Sequence, residues 1–155
     1  MKGNEKIIQQ LNARLADELA AINQYMVHSE MCADWGYDRL HETIEKRAIE
    51  EMKHAEELIA RILFLEGTPT VSELSPIKIG ADVETQLKND LAAEAQAIKD
   101  YNQDIKLALD LGDNGTRKLL QSLLKDEEEH LDWLETQLEQ IRQIGVQNYL
   151  VEQIE

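Results

Sequence analysis

Two stretches decide the fold of this chain of 155 residues: EEMKHAEEL at residues 50–58 and DEEEHLDWL at residues 126–134. Each stretch holds a glutamate followed three residues later by a histidine, first Glu51 and His54, then Glu127 and His130. Residues three apart lie on the same face of a helix, so each pair can offer a carboxylate oxygen and an imidazole nitrogen to one metal ion. The two stretches therefore predict two helices that each carry part of a metal site.

The two stretches belong to a longer internal repeat. Glu127 follows Glu51 by 76 residues, and His130 follows His54 by the same 76 residues. The shift also relates further identical pairs: Glu18 and Glu94, Tyr25 and Tyr101, Leu11 and Leu87, Leu15 and Leu91, Ile22 and Ile98, and Leu58 and Leu134. Each half of the chain is thus predicted to be a helical hairpin with one Glu, one Tyr and one Glu-x-x-His.

Apolar residues at helical spacing, with only 7 glycines and 2 prolines, predict an all-α protein. The expected helices cover about residues 5–34, 37–65, 82–111 and 114–144, and the tail 146–155 has room for a short fifth helix. GTPTVSELSPIKIGA, residues 67–81, can extend over roughly 50 Å. That exceeds the roughly 42 Å of a 28-residue helix. We therefore predict a four-helix bundle with one long crossover between its second and third helices, the topology of ferritin-like folds.

Composition excludes several classes of protein. A length of 155 residues is that of one ordinary domain, and no apolar run approaches the ~20 residues that span a bilayer. The formal net charge of -15 disfavours nucleic acid and attracts cations. The start of the chain lacks the apolar region of a signal peptide, and Cys32 has no intramolecular partner, so we expect a cytoplasmic protein with a buried or idle thiol.

Four inward carboxylates would repel one another and each lose its hydration unless cations compensate them. Two divalent ions balance four negative charges, and oxygen and nitrogen donors suit iron or manganese, with zinc as a competitor. The predicted ligands are Glu18, Glu51, His54, Glu94, Glu127 and His130. Tyr25 and Tyr101 either support these ligands or are core tyrosines that bond to a carboxylate.

The simpler alternative is that acidic runs such as DEEE lie on solvated helix faces. Only one of the three consecutive glutamates can point inward, so we expect Glu128 and Glu129 in solvent or at an interface. His28 and His41 have no counterpart in the repeat and are expected to be surface or structural residues.

The chain resembles the bacterioferritins over essentially its whole length. The resemblance rests on MKG at the start, ELAAINQY (18–25), EMKHAEELIARILFLEG (51–67), DEEEHLDWLETQ (126–137) and IGVQNYL (144–150). It implies one ferritin-like domain over residues 1–155 and a di-iron ferroxidase centre. In that centre Glu18 and His54 would bind one iron, Glu94 and His130 the other, with Glu51 and Glu127 as bridges.

The resemblance also implies an assembly and a function. Twenty-four chains, alone or mixed with a ferritin paralogue, would form a cytoplasmic shell that stores ferric mineral, with the last helix near the four-fold axis. A ferredoxin partner would help to release the iron. The ligands distinguish neither dioxygen from peroxide as oxidant, nor a centre that empties into the cavity from one that stays loaded.

A methionine that ligates haem between two subunits separates bacterioferritins from haem-free ferritins, and the resemblance places it at Met52. Met52 is turned about 100° from Glu51, toward the flank of the core stripe, where core packing is its alternative role. Its b-type haem would be walled by Leu19, Ile22, Asn23 and Met26, and Met26 replaces a common family aromatic.

Lys46 and Glu50 stand where many bacterioferritins carry a histidine and an aspartate that hold iron on the inner cavity wall. A protonated lysine is a poor ligand, which argues against that auxiliary site. The rival functions are a haem-free ferritin, a di-iron oxidase or peroxidase that stores nothing, and a metal-free acidic module that binds proteins.

Overall fold

The computed structural model describes residues 1–154, and within them the chain forms five helices and no strand. They are α1 (Glu5–Asp34), α2 (Asp38–Phe64), α3 (Val83–Asp110), α4 (Asn114–Ile144) and α5 (Val146–Val151). The predicted all-α architecture, with four long helices and a short fifth, is confirmed. None of these helices is both long enough and apolar enough to cross a membrane.

Polar caps and glycines set the helix ends. The side chains of Asn4 and Asp82 accept hydrogen bonds from backbone N–H groups in the first turns of α1 and α3. Between α1 and α2, Gly36 has a φ of 82°, and between α3 and α4, Gly112 has a φ of 72°. These left-handed conformations suit glycine and let each pair of helices turn back on itself within a few residues.

The long connection between α2 and α3 lies along α1. It forms a series of hydrogen bonds that progress from the N-terminal half of α1 to its C-terminal half: Thr70 N–H to Asn12, Ser75 N–H to the carbonyl of Ala16, Lys78 N–H to Gln24, and Gly80 N–H to His28. The connection therefore returns the chain to the end of the bundle where α2 began. As a result, α3 runs antiparallel to α1.

The core consists of two hydrophobic clusters stacked along the bundle. One includes Leu15 of α1 and Leu58 of α2, and the other includes Tyr25 of α1 and Ile44 of α2. The predicted ligands of α1 and α2 fall between these clusters in the sequence of each helix. Apolar packing thus closes the acidic layer above and below.

Candidate metal centre

The bundle buries all six predicted ligands. Their exposed fractions are between 1% and 3%: Glu18 3%, Glu51 1%, His54 2%, Glu94 2%, Glu127 2% and His130 1%. The acidic run in α4 is divided as expected, since Glu128 and Glu129 are exposed. The alternative of a wholly solvated acidic face is therefore wrong for these six side chains.

The six side chains form two groups whose donor atoms lie within 4.8 Å of one another. The first contains Glu18, Glu51, His54 and Glu127, and the second contains Glu51, Glu94, Glu127 and His130. Both groups therefore share Glu51 and Glu127. The imidazole rings of His54 and His130 are nearly parallel, with 14° between their planes and 6.3 Å between their centroids. The arrangement could hold two ions, with a shared carboxylate on each side.

The same six residues contain unsatisfied polar atoms. Buried atoms without a hydrogen-bond partner occur in each of them: Glu18 Oε2, Glu51 Oε1, His54 Nδ1, Glu94 Oε2, Glu127 Oε1 and His130 Nδ1. Buried polar groups in proteins are nearly always paired, because an unpaired one costs roughly 1–3 kcal/mol. Six such atoms in one layer, all from metal-ligating residue types, fit a site for cations.

The electrostatics of this layer favour added positive charge. Burial raises the pKa of Glu51 and Glu127 well above the usual range, and neighbouring carboxylates raise it further. Burial also opposes the charged form of His130, but Glu127 and Glu94 outweigh it and raise its pKa to about 9. The protein alone thus compensates its carboxylates with protons, and divalent ions would replace those protons.

Tyr25 and Tyr101 support carboxylates across the bundle. The hydroxyl of Tyr25 donates to Glu94 of α3, and the hydroxyl of Tyr101 donates to Glu18 of α1. Burial, followed by the adjacent carboxylate, raises the pKa of both tyrosines well above its usual value, so both hydroxyls keep their protons. Each tyrosine therefore fixes a carboxylate from the other half of the repeat.

Two carboxylates contact the outer nitrogens of the histidines, and the sequence interpretation missed this role. Asp126 Oδ2 lies 2.9 Å from His54 Nε2, and Glu50 Oε2 lies 2.6 Å from His130 Nε2. The signal was present, because the 76-residue shift takes Glu50 to Asp126. These contacts also run between the two halves.

A cleft of about 400 Å³ leads to the acidic layer between α1 and α3. The crossover forms part of its wall through Ser75, Pro76 and Lys78, while Asp17 and Asp100 add carboxylates. The four predicted glutamate ligands also line it. The cleft therefore extends from exposed residues such as Gln96 to the four carboxylates.

The remaining predicted residues lie outside this layer. Met52 is 44% exposed and Met26 is 49% exposed. The alternative role of Met52, core packing, is therefore wrong. Lys46 is exposed. His41 is half-buried against the carbonyl of Ser29.

His28 is a buried structural residue. Its Nδ1 lies 2.9 Å from Asp90 Oδ1, and its Nε2 accepts the N–H of Gly80. Cys32 is buried, and burial raises the pKa of its thiol to about 11, as expected for an idle thiol.

Comparisons with known proteins identify relatives of this chain. The family model of the ferritin-like domain matches residues 8–144. The chain is 44% identical to a bacterioferritin of Brucella melitensis over 149 residues, which cover 96% of this chain and 92% of the relative. It is 42% identical to a bacterioferritin of Rhodobacter capsulatus over 96% of this chain and 92% of the relative. It is also 41% identical to a bacterial ferritin of Neisseria gonorrhoeae, over 99% of this chain and 100% of the relative.

Proposed function

The chain belongs to the bacterioferritins, within the family of ferritin-like domains, and we propose that it oxidises Fe(II) at the buried acidic layer and stores the ferric product. The observation that carries this proposal is the set of six unpaired polar atoms on six metal-ligating side chains. His54 Nδ1 lies 2.9 Å from Glu127 Oε1, and His130 Nδ1 lies 2.9 Å from Glu51 Oε1, yet none of these four atoms has a hydrogen-bond partner. Two substrate ions would satisfy them instead.

The proposed reaction takes two Fe(II) ions per turnover. Each ion gives up one electron, and the two electrons with two protons reduce dioxygen to hydrogen peroxide, or hydrogen peroxide to two water molecules. Glu18 and His54 would bind one ion, Glu94 and His130 the other, and Glu51 and Glu127 would bridge them. Four carboxylates neutralise two Fe(II) ions, so oxidation leaves two uncompensated positive charges. These favour hydroxide or oxide binding, or release of Fe(III).

The protein contributes geometry and charge to this step. The hydroxyls of Tyr25 and Tyr101 hold Glu94 and Glu18, which limits the freedom of two ligands before an ion arrives. The cleft between α1 and α3 supports access of Fe(II) and a small oxidant to the glutamates. The net charge of -15 raises the local concentration of cations.

Storage requires a shell, and we propose a hollow assembly of twenty-four chains in the cytoplasm. Family membership supports this assembly. Met52 would ligate a b-type haem together with the same residue of a second chain, and its 44% exposed side chain is available at the surface for such an interface. This haem would pass electrons from a ferredoxin partner to the stored iron.

A haem-free ferritin is the second candidate. Both candidates share the proposed oxidation site. They differ in whether Met52 binds haem.

The oxidation site is tested by Glu127→Ala, with Glu128→Ala as the matched control. Stopped-flow absorbance should show rapid Fe(II) oxidation in the wild-type protein and in the control, whose exposed carboxylate lies one residue away. Glu127→Ala should lose the rapid phase, because it removes a carboxylate common to both groups. Circular dichroism should show unchanged helix content. Wild-type oxidation rates in Glu127→Ala would exclude the proposed site.

A further inference from the structure

Each histidine of the acidic layer contacts a partly exposed carboxylate on the side away from the glutamates. Asp126 of α4 faces His54 of α2 at 2.9 Å, and Glu50 of α2 faces His130 of α4 at 2.6 Å. The side chains of Asp126 and Glu50 are 45% and 37% exposed, whereas both histidines are buried. The carboxylates therefore form an outer layer between the histidines and solvent.

The chemistry of these contacts fixes the position of one proton on each ring. An ionised carboxylate only accepts hydrogen bonds, so each imidazole must donate its Nε2–H. When the ring is neutral, as it must be to bind a metal ion, the lone pair belongs to Nδ1, which is the atom that faces the glutamates. His54 Nδ1 lies 2.9 Å from Glu127 Oε1, and His130 Nδ1 lies 2.9 Å from Glu51 Oε1. Both rings thus present Nδ1 to the shared carboxylates.

We propose that Asp126 and Glu50 are positioning residues, which hold His54 and His130 with Nδ1 directed at the two metal positions. This inference rests on the proposed metal site and adds two residues to it. Such outer partners fix the ring orientation and tautomer of a histidine ligand and increase its basicity. Each metal position would then depend on a carboxylate from the helix that faces its histidine.

The two positioning residues are held in place by different numbers of neighbours. Glu50 Oε2 lies 3.6 Å from Arg47 Nη1, and the Arg47 guanidinium lies 5.7 Å from the ring centre of Trp133. Within residues 1–154, Asp126 has His54 as its side-chain partner and no cation from lysine or arginine within 4.0 Å. Glu50 is thus held from two sides and Asp126 from one. The two metal positions are expected to differ in affinity for this reason.

The test is Co(II) binding to metal-free protein, followed by its visible absorption in competition with a chelator of known affinity. The wild-type protein should bind two Co(II) ions per chain. Asp126→Ala and Glu50→Ala should each lower the affinity for one of the two ions by about 10- to 100-fold and leave the affinity for the other unchanged. The double variant should have a lower affinity for both ions.

Conservative variants separate orientation from charge. Asp126→Asn and Glu50→Gln keep an oxygen that accepts the Nε2 proton, so they should recover most of the lost affinity. Glu128→Ala removes a charge from the same acidic run and should bind Co(II) as the wild-type protein does.

Three results would overturn the positioning role. They are alanine variants with wild-type affinity, amide variants as weak as the alanine variants, or an equal loss in Glu128→Ala. A wild-type protein that binds no Co(II) would instead exclude the metal site itself, so the two failures are distinguishable.

Discussion

Glu51 and Glu127 differ from the other carboxylates because each belongs to both groups of donor atoms. Burial raises the pKa of each well above the usual range, so the charged form of each is disfavoured unless a cation compensates it. Replacing a whole buried ion-pair network by well-packed apolar residues often leaves stability unchanged or increases it. Their presence is therefore better explained by the binding of cations than by a contribution to folding.

Met52 separates the two ferritin candidates at the level of a single residue. Met52→Leu conserves side-chain volume at a position that is 44% exposed, so it should change stability by less than about 1.5 kcal/mol. If Met52 ligates haem, the wild-type protein should bind one haem per two chains with a low-spin, sulfur-ligated spectrum. The leucine variant should bind none and should still oxidise Fe(II), because Met52 is exposed whereas the six candidate ligands are buried.

Haem reconstitution and absorption spectroscopy measure this difference. The leucine variant should also load iron normally and release it slowly with a physiological reductant. Unchanged haem stoichiometry and spectrum in Met52→Leu would rule out this ligand, whereas a wild-type protein that binds no haem would favour the haem-free ferritin.

At the scale of the elements, hydrogen bonds fix the crossover along α1 although the crossover contains no helix or strand. Its backbone bonds to four successive positions of α1, and its last anchor is Gly80 at the buried His28. His28 in turn contacts Asp90, which also accepts a hydrogen bond from Gln24. One network therefore joins the crossover to α1 and α3 and fixes the start of α3.

Gly80→Ala should weaken this junction. A Cβ at residue 80 would lie 2.4 Å from the backbone nitrogen of Gln86 and 2.7 Å from its Cα, so backbone must shift. We expect a destabilisation of about 1–3 kcal/mol, as for other overpacked sites. Thermal unfolding followed by circular dichroism, at one scan rate and protein concentration, would measure it.

Glu73→Ala is the control for this substitution, since Glu73 is exposed in the same crossover. It should change stability by no more than about 0.5 kcal/mol. Equal unfolding midpoints for Gly80→Ala and the control would show that the close approach of residues 80 and 86 does not constrain the fold.

The two halves of the chain make reciprocal contacts across the bundle. On α1 and α3, Tyr25 bonds to Glu94 while Tyr101 bonds to Glu18. On α2 and α4, Asp126 contacts His54 while Glu50 contacts His130. Each contact from the first half to the second is thus matched by the equivalent contact from the second half to the first. A two-fold relation between antiparallel hairpins requires this reciprocity. This explains why two similar halves enclose one site.

At the scale of the whole molecule, the isolated chain leaves large apolar side chains in solvent. In the crossover these are Val71, Leu74, Ile77 and Ile79, with exposed fractions of 58%, 48%, 38% and 44%. Neighbouring apolar residues at a surface are typical of a contact with another chain. The proposed storage of mineral in a hollow shell needs such contacts, because many chains must join to enclose it.

Sedimentation velocity tests the assembly. The wild-type protein should sediment as a single species of about twenty-four chains, and added Fe(II) should sediment with it as ferric mineral in air. The shell should also form without iron, since the expected contacts lie away from the acidic layer. Iron-loaded protein that sediments only as monomers or dimers would favour the non-storing oxidase or peroxidase.

The sequence alone determined the helices and the candidate ligands. Helical periodicity and the position of Gly36 and Gly112 are local properties, so the predicted ends differ from the structure by no more than one residue at the four long helices. The ligand set followed from spacing within a helix together with the 76-residue repeat, and burial of all six side chains agrees with it. Their role in binding iron stays a prediction.

Only the tertiary structure decided which side chains meet. The repeat relates equivalent residues, whereas hydrogen bonds join residues that face each other across the bundle, and that facing depends on how the two hairpins pack. The pairing of Asp126 with His54 and the anchoring of the crossover at His28 are both of this kind. They depend on distances between helices that are far apart in the chain, which no local pattern records.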